Sequence, residues 1–469
     1  MRRRLGIALG VGAAALLAPT PAFAHGLVGK QDLPIPKVVF AWAACAVLVA
    51  SFAGLAALWP TARLQQLQER LVFRVPRAFG PLAGAFGVAF FAFMIYAGLA
   101  GEQFSAQNNL IVTIVFVTFW IGIPFASVLV GDVFRAINPW LAIARAASWT
   151  WRRLGRPAPE PLPYPERLGR WPAAFGILAF AWVELVYVNK DDPSTLAILA
   201  IAYAAAQLVG MSLYGIRAWE HYADAFAVYF GLFARLSPLR WTNGELRVRK
   251  PLEGVVPLDT PPGTVALVVT MIGTTSFDGF SQGPLWTSLA DNLQSTFLDL
   301  GLGPEAALEL AFTIGLVAVV GVIGGLYGIG ITGMRSVNPT DDAGELARRF
   351  IHTLVPIALA YVVAHYFSLF VYQSQALAYL ASDPLGTGSD YFGTATVSIN
   401  YGVISASGVW YVQVAALLAG HVAGLILAHD KAIASYRDPK LAVRSQYWML
   451  TVMVCFTSLG LFLLSQVGQ

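Results

Sequence analysis

The sequence predicts an all-α, polytopic membrane bundle of about ten helices behind a cleavable signal peptide, and three observations predict it. Of the 469 residues, 57% are hydrophobic and only 12% charged, whereas a soluble domain carries about 25% charged residues. Ten apolar runs approach or reach the roughly 20 residues that cross a bilayer: 38–59, 82–100, 110–130, 171–188, 195–216, 264–280, 307–333, 352–375, 408–428 and 446–466. The basic residues then alternate with these runs as cytoplasmic loops require. The segments 60–81, 131–170, 217–263, 334–351 and 429–445 hold 24 Lys and Arg, while the segments on the other side hold only Lys30, Lys37 and Lys190.

The chain opens with Arg2, Arg3 and Arg4, an apolar stretch Leu5 to Leu17, and Ala22-Phe23-Ala24. That is a basic region, a hydrophobic region and an A-x-A cleavage site. Residues 1–24 therefore read as a signal peptide, 25–37 as a short extracytoplasmic segment, and 38–469 as the membrane domain. Cleavage leaves His25 as the mature N-terminus. An uncleaved anchor is the alternative, but the apolar run is short for a span. Cys45 and Cys455 both fall inside apolar runs. They suit neither a disulfide framework nor a zinc motif, and read as small buried hydrophobes. The net charge of +4 follows from membrane topology and implies no nucleic-acid partner. The partners implied are the lipid bilayer and a small molecule or ion.

Between the runs, Arg156 to Pro172 is a Pro-rich linker. The segment 217–236 places Trp219, Tyr222, Phe226, Tyr229, Phe230 and Phe233 at helical spacing. It reads as an amphipathic helix on the cytoplasmic membrane surface, with a half-inserted, re-entrant helix as the alternative. Gly321-x-x-x-Gly325, Gly324-x-x-x-Gly328 and Gly420-x-x-x-Gly424 allow helices to approach closely. Arg135-Ala-Ile-Asn138-Pro139 echoes Arg335-Ser-Val-Asn338-Pro339. The echo marks either an internal repeat or, the preferred reading, Asn caps before helices that begin with Pro.

No P-loop, Rossmann glycine fingerprint, HExxH or GxSxG is present. The candidate chemistry lies in polar residues inside the apolar runs. The sixth run turns polar at Thr274, Thr275, Ser276 and Asp278, and glycines interrupt it. Such backbone at membrane depth belongs against protein or water, and an ionisable residue there points to function. The plain alternative is that Asp278 caps the next turn at headgroup level. Tyr361, His365, Ser368 and Tyr372 share one face of the eighth run. Asp278 and His365 are the candidate catalytic pair. Thr274, Thr275, Ser276, Tyr361, Tyr372 and Glu184 are the candidate lining of a cavity opening outward. Glu184 reads either as a proton acceptor or as a headgroup-level side chain.

His25, with its free α-amine, suits copper. His365 and His421 are further candidate ligands for a divalent metal, copper or haem. His221, Asp224, His352 and His429, together with Glu220 and Asp430, form a second set at the inner rim, where a metal could also bind. For each histidine alone, an interhelical hydrogen bond is the simpler role.

The stretches Ala24–Pro36 (AHGLVGKQDLPIP), Phe277–Gly279 (FDG), Ala364–Gln375 (AHYFSLFVYQSQ) and Gly420–Asp430 (GHVAGLILAHD) make the chain similar to bacterial membrane proteins named fenitrothion hydrolase. The resemblance would cover most of the chain. It implies hydrolysis of an organophosphate ester by a membrane-associated protein, and carries no catalytic motif with it. Three functions follow from the sequence. The leading one is a permease moving a small solute or metal ion through a polar cavity. The second is a membrane-embedded hydrolase, which would want a metal-activated water. The third is a haem or copper redox protein. Oligomeric state is not encoded in any pattern found.

The distribution of basic residues places both mature termini outside. A periplasmic reporter fused after Gln469 is expected to be active, and cytoplasmic activity there would overturn the count of ten spans.

Overall fold

The computed structural model describes residues 37–155, 160–436 and 438–466. The signal-peptide reading and His25 lie outside the described residues. Thirteen principal helices run in chain order. They are α1 (Lys37–Leu58), α2 (Phe79–Ala100), α3 (Leu110–Val130), α4 (Pro139–Arg153), α5 (Trp171–Leu185) and α6 (Pro193–Tyr214). After them come α7 (Ala225–Ala234), α8 (Thr264–Ser281), α9 (Pro284–Asp299), α10 (Pro304–Val337), α11 (Val355–Gln373), α12 (Ala406–Ser435) and α13 (Tyr447–Gln466). All ten apolar runs are helical. Six stretches, Phe79–Ala100, Leu110–Val130, Pro193–Tyr214, Pro304–Val337, Ala343–Gln373 and Ala406–Ser435, are long and apolar enough to cross a membrane.

The helices start and stop where local chemistry dictates. Asp192 caps α6 by accepting from the Ser194 and Thr195 amides, with Pro193 at the first position. Ser405 caps α12. Asn138 caps α4 by accepting from Leu141 N at 2.9 Å, ahead of Pro139. Its echo behaves differently. Asn338 closes α10 and accepts from the Thr340 hydroxyl at 2.9 Å in a turn, and the next helix starts only after Asp342. The shared motif therefore serves a helix start once and a helix end once.

Helix α8 sits among α5, α10 and α11, and α11 packs along α12. A Cβ on Gly420 would stand 2.3 Å from Ala360 Cβ, so the glycine permits the α11–α12 approach. Gly321, Gly325 and Gly328 have no such neighbour within 4 Å among the described residues. Their spacing does not mark a helix contact there.

The segment 217–236 departs from a surface helix. It breaks at Ala223, and α7 is largely buried: Phe226, Val228, Tyr229, Phe230, Leu232 and Phe233 all lie in the core. A helix apolar all round belongs inside, and α7 is packed within the bundle. Ile216–Tyr222 before it is partly exposed. A helix that ends inside the protein leaves amides and carbonyls in need of partners. Asp224 supplies the first end, accepting from Ala227 N at 3.2 Å. Arg249 supplies the other, donating from Nη2 to the Ala234 carbonyl at 2.8 Å and to that of Arg235 at 3.0 Å.

Arg249 reaches that position from a small sheet that helical patterning did not foretell. Strands β1 (Glu69–Arg74), β2 (Leu239–Thr242) and β3 (Glu245–Arg249) pair antiparallel in the order β1–β3–β2. The β2–β3 hairpin turns on Asn243-Gly244, both at positive φ, the pair favoured in two-residue hairpins. The sheet thereby ties the loop after α1 to the loop after α7. Helix α9 is likewise absent from the sequence reading, because its mixed composition follows Pro284 in a stretch read as a loop.

Asp224 is fully buried and accepts from Tyr203 Oη at 2.9 Å, Trp140 Nε1 at 2.6 Å and Asn138 Nδ2 at 3.2 Å as well. Asp224→Ala removes the cap and strands these donors. It is expected to cost about 3 kcal/mol, from the lost cap and at least one unsatisfied buried donor. Thermal unfolding in detergent reads this as a lowered melting temperature, with Asp224→Asn less affected.

Candidate functional site

The sixth run keeps its helix. Glycines at 273 and 279 do not interrupt α8, which continues to Ser281 before Gly283 and Pro284 start α9. The polar side chains find partners within the helix. Thr274 Oγ1 donates to Thr270 O at 2.9 Å, Thr275 Oγ1 to Met271 O at 3.2 Å, and Ser276 Oγ to Ile272 O at 2.8 Å. Back-bonding of this kind is how hydroxyls are accommodated in apolar surroundings.

Asp278 is fully buried, and His365 of α11 is 7% exposed. The His365 Nε2 lies 2.8 Å from Asp278 Oδ2. The structure brings these two candidate residues of the sequence together. Asp278 does not lie past the end of its helix as a cap for the next turn, but within α8 and buried inside the bundle.

Two further groups complete the cluster. Glu184 of α5 is 5% exposed, so it too is an interior residue. Its backbone carbonyl accepts from Lys190 Nζ at 2.8 Å, and its Oε2 has no hydrogen-bond partner among the described residues. Tyr366, one residue after His365, lies against both the Asp278 and Glu184 carboxylates. Sequence reasoning missed Tyr366 because it is off the Tyr361–His365–Ser368–Tyr372 stripe. From α7, Tyr229 approaches Glu184 and stacks on Trp120 at 4.9 Å between centroids. Four helices thus bring two carboxylates, an imidazole and two phenols together in a site closed to solvent.

The other candidates do not join it. Tyr361 faces His421 at 6.3 Å between ring centroids. His421 is buried, its Nδ1 lies 2.8 Å from Leu417 O, and both residues line a small cavity of about 40 Å³. Tyr372 donates to Ile404 O at 3.0 Å, which pins the chain entering α12. Asp278 and His365 line neither this cavity nor the larger one between α2, α3, α5 and α6.

The inner-rim set separates into independent contacts. His221 Nε2 lies 2.7 Å from Asp259, which also pairs with Arg170 at 2.9 Å. Burial would push the Asp259 carboxyl up, but the His221 hydrogen bond and the Arg170 charge outweigh it and hold the group well below the usual carboxylate range. Glu220 pairs with Arg135 at 2.8 Å. Because the helix ends at Tyr222, His221 and Asp224 do not share a face as their spacing suggested. His352 is buried, and its Nε2 has no partner among the described residues. His429 Nε2 lies 3.1 Å from Trp59 O. Asp430 accepts from Trp59 Nε1 at 3.0 Å, Leu64 N at 3.2 Å and Gln65 Nε2 at 2.7 Å, anchoring the loop after α1. Among the described residues, no three His, Cys, Asp or Glu side chains converge as metal ligands. Cys45 and Cys455 are free thiols, and Cys45 Sγ contacts Ser458 Oγ at 3.1 Å.

Comparison with protein-family models, curated proteins and solved structures finds no match to this chain. The reading of the site therefore rests on its geometry.

Removing one partner of a buried hydrogen-bonded contact leaves the other unsatisfied, at a cost of about 1–3 kcal/mol. His365→Ala, which strips Asp278 of its imidazole, is expected to lower the melting temperature in detergent more than Asp278→Asn, which keeps shape and hydrogen-bonding capacity. Equal or smaller loss for His365→Ala would show that the pair adds nothing to stability.

Proposed function

We propose that this chain is a ten-span plasma-membrane permease that couples movement of a small solute or ion to a proton held at the Glu184, Asp278, His365 and Tyr366 cluster. The observation that supports the reading is the 2.8 Å contact of His365 with Asp278, both of them buried. A carboxylate at membrane depth costs at least about 2.5–3.5 kcal/mol on the most lenient scale, and such residues mark ion and proton pathways. Every member of this cluster can take up or release a proton. A proton needs only a chain of hydrogen-bonding groups to reach it. An organophosphate ester, the substrate implied by the fenitrothion hydrolase resemblance, needs a cleft at the reacting groups, so the geometry favours proton handling.

Helices α5, α8 and α11 meet at the cluster, and each carries one or two of its members. Gain or loss of a proton changes the attraction between α8 and α11 directly. That is the kind of switch by which helices at a buried site shift between alternative packings. His421 and Tyr361, around the 40 Å³ cavity one turn away, are the nearest space into which such a shift can move side chains.

Proteoliposomes loaded with a pH-sensitive dye test this. With an imposed pH gradient, the wild-type protein should carry protons across the membrane, alone or with added solute mixtures. Asp278→Asn and Glu184→Gln should abolish the flux while leaving expression and melting temperature close to wild type. Wild-type-like flux in both variants would remove the cluster from function.

A further inference from the structure

A second feature of the bundle is independent of this cluster. A cavity of about 590 Å³ lies between α2, α3, α5 and α6, within the roughly 300–1,000 Å³ typical of ligand sites. It reaches from surface to core. Phe86 and Leu199, on its wall, are 61% and 39% exposed, whereas Phe226 of α7, also on its wall, is only 6% exposed. Phe90, Phe119 and Phe180 complete an apolar lining.

The wall offers few polar groups. Tyr203 Oη and Trp140 Nε1 both belong to residues that line it, and both are committed to Asp224. Thr118 lies on it within a π-helical turn, Ile114–Gly122, and its hydroxyl has no partner among the described residues. So the occupant must be almost wholly hydrocarbon. Protein interiors are close-packed. An engineered apolar cavity of about 150 Å³ stays dry and takes up apolar guests. A larger one that opens between α2, α3 and α6, all long apolar helices, has hydrocarbon at its mouth.

Charge at one end indicates which hydrocarbon. Ile137, Pro139 and Trp140 bound the cavity on the side from which α4 departs. Helix α4 then carries Arg145, Arg152 and Arg153, with Arg145 53% exposed and 3.9 Å from the Glu220 carboxylate, and the Arg153 guanidinium 5.3 Å from the Trp149 ring. Trp149 and Trp151 are exposed beside them. Arginine with tryptophan on an amphipathic helix suits an interface rich in anionic headgroups.

We propose that the cavity seats one acyl chain of an anionic phospholipid, whose phosphate is held by the α4 arginines. This rests on the helices lying in a bilayer and is independent of the proton cluster, so the flux assay and the test below fail separately.

The test uses the full-length protein in nanodiscs containing phosphatidylglycerol with a diazirine on one acyl chain, followed by mass-spectrometric mapping of the adducts. Adducts are expected on the residues facing the cavity, Phe119, Phe180 and Phe226 among them. Ala200→Phe, which places a ring inside the cavity and narrows it, should lower that labelling about tenfold, equivalent to 1.4 kcal/mol of lost affinity. Arg145→Gln with Arg152→Gln and Arg153→Gln should abolish the preference for phosphatidylglycerol over a phosphatidylcholine probe. Adducts spread over outward-facing residues such as Phe93, Tyr96 and Val317 in proportion to exposure would overturn the proposal. So would unchanged labelling in a folded Ala200→Phe protein. If that variant does not fold, the wild-type adduct map decides alone, because Phe226 is reached only through the cavity.

Discussion

Much of the architecture follows from one constraint: a helix that ends inside an apolar bundle must have its terminal amides and carbonyls satisfied there. Helix α7 is that helix. Asp224 closes its amino end and Arg249 its carboxyl end. Each of those residues imposes a requirement on distant chain. Asp224 holds Tyr203 on α6 and Trp140 and Asn138 on α4, so three elements converge on one carboxylate. Arg249 sits where it does because β3 is clamped between β1 and β2. With both ends met, α7 can present Tyr229 to Trp120 and Glu184 in the interior.

Three buried aspartates show how partner chemistry separates roles. Asp430 accepts from an indole, an amide and backbone N–H groups, and Asp224 from an indole, an amide, a backbone N–H and the Tyr203 phenol. They are fixed points of structure. What sets Asp278 apart is an imidazole at 2.8 Å and a second carboxylate facing the same phenol. An imidazole is the side chain that gains and loses a proton near neutral pH. A sequence with three aspartates inside or at the edge of apolar runs does not distinguish these cases, whereas the identity of the donors does.

The helices were legible because hydropathy and charge report a single large energy, the transfer of side chains and peptide groups into hydrocarbon. All ten runs are helices, and the Asp278–His365 pairing follows from two ionisable groups that each need a partner. What local pattern did not encode is what depends on distant contacts. Aromatic spacing in 217–236 looked amphipathic because it was read as one helix; the Asp224 cap divides it. The Asn243-Gly244 turn was a readable hairpin signal, passed over within a segment read for helices. Tyr366 and the burial of Glu184 depend on how α5, α8 and α11 are rotated, which no single-helix pattern specifies. The hydroxyls at 274–276 looked like a cavity and proved to be satisfied by their own helix.

Helix α10 has one further implication. Its 34 residues span about 50 Å at 1.5 Å per residue, against a hydrocarbon core about 30 Å thick. Even a tilt of about 40° leaves a surplus of one to two turns. The end that carries Pro304 is packed against α9, whose Leu285, Leu289 and Leu298 are exposed. Together they close that end of the bundle with a pair of packed helices rather than a loop. Helix α10 also packs directly on α8, so its surplus length is joined to the same helix that carries Asp278.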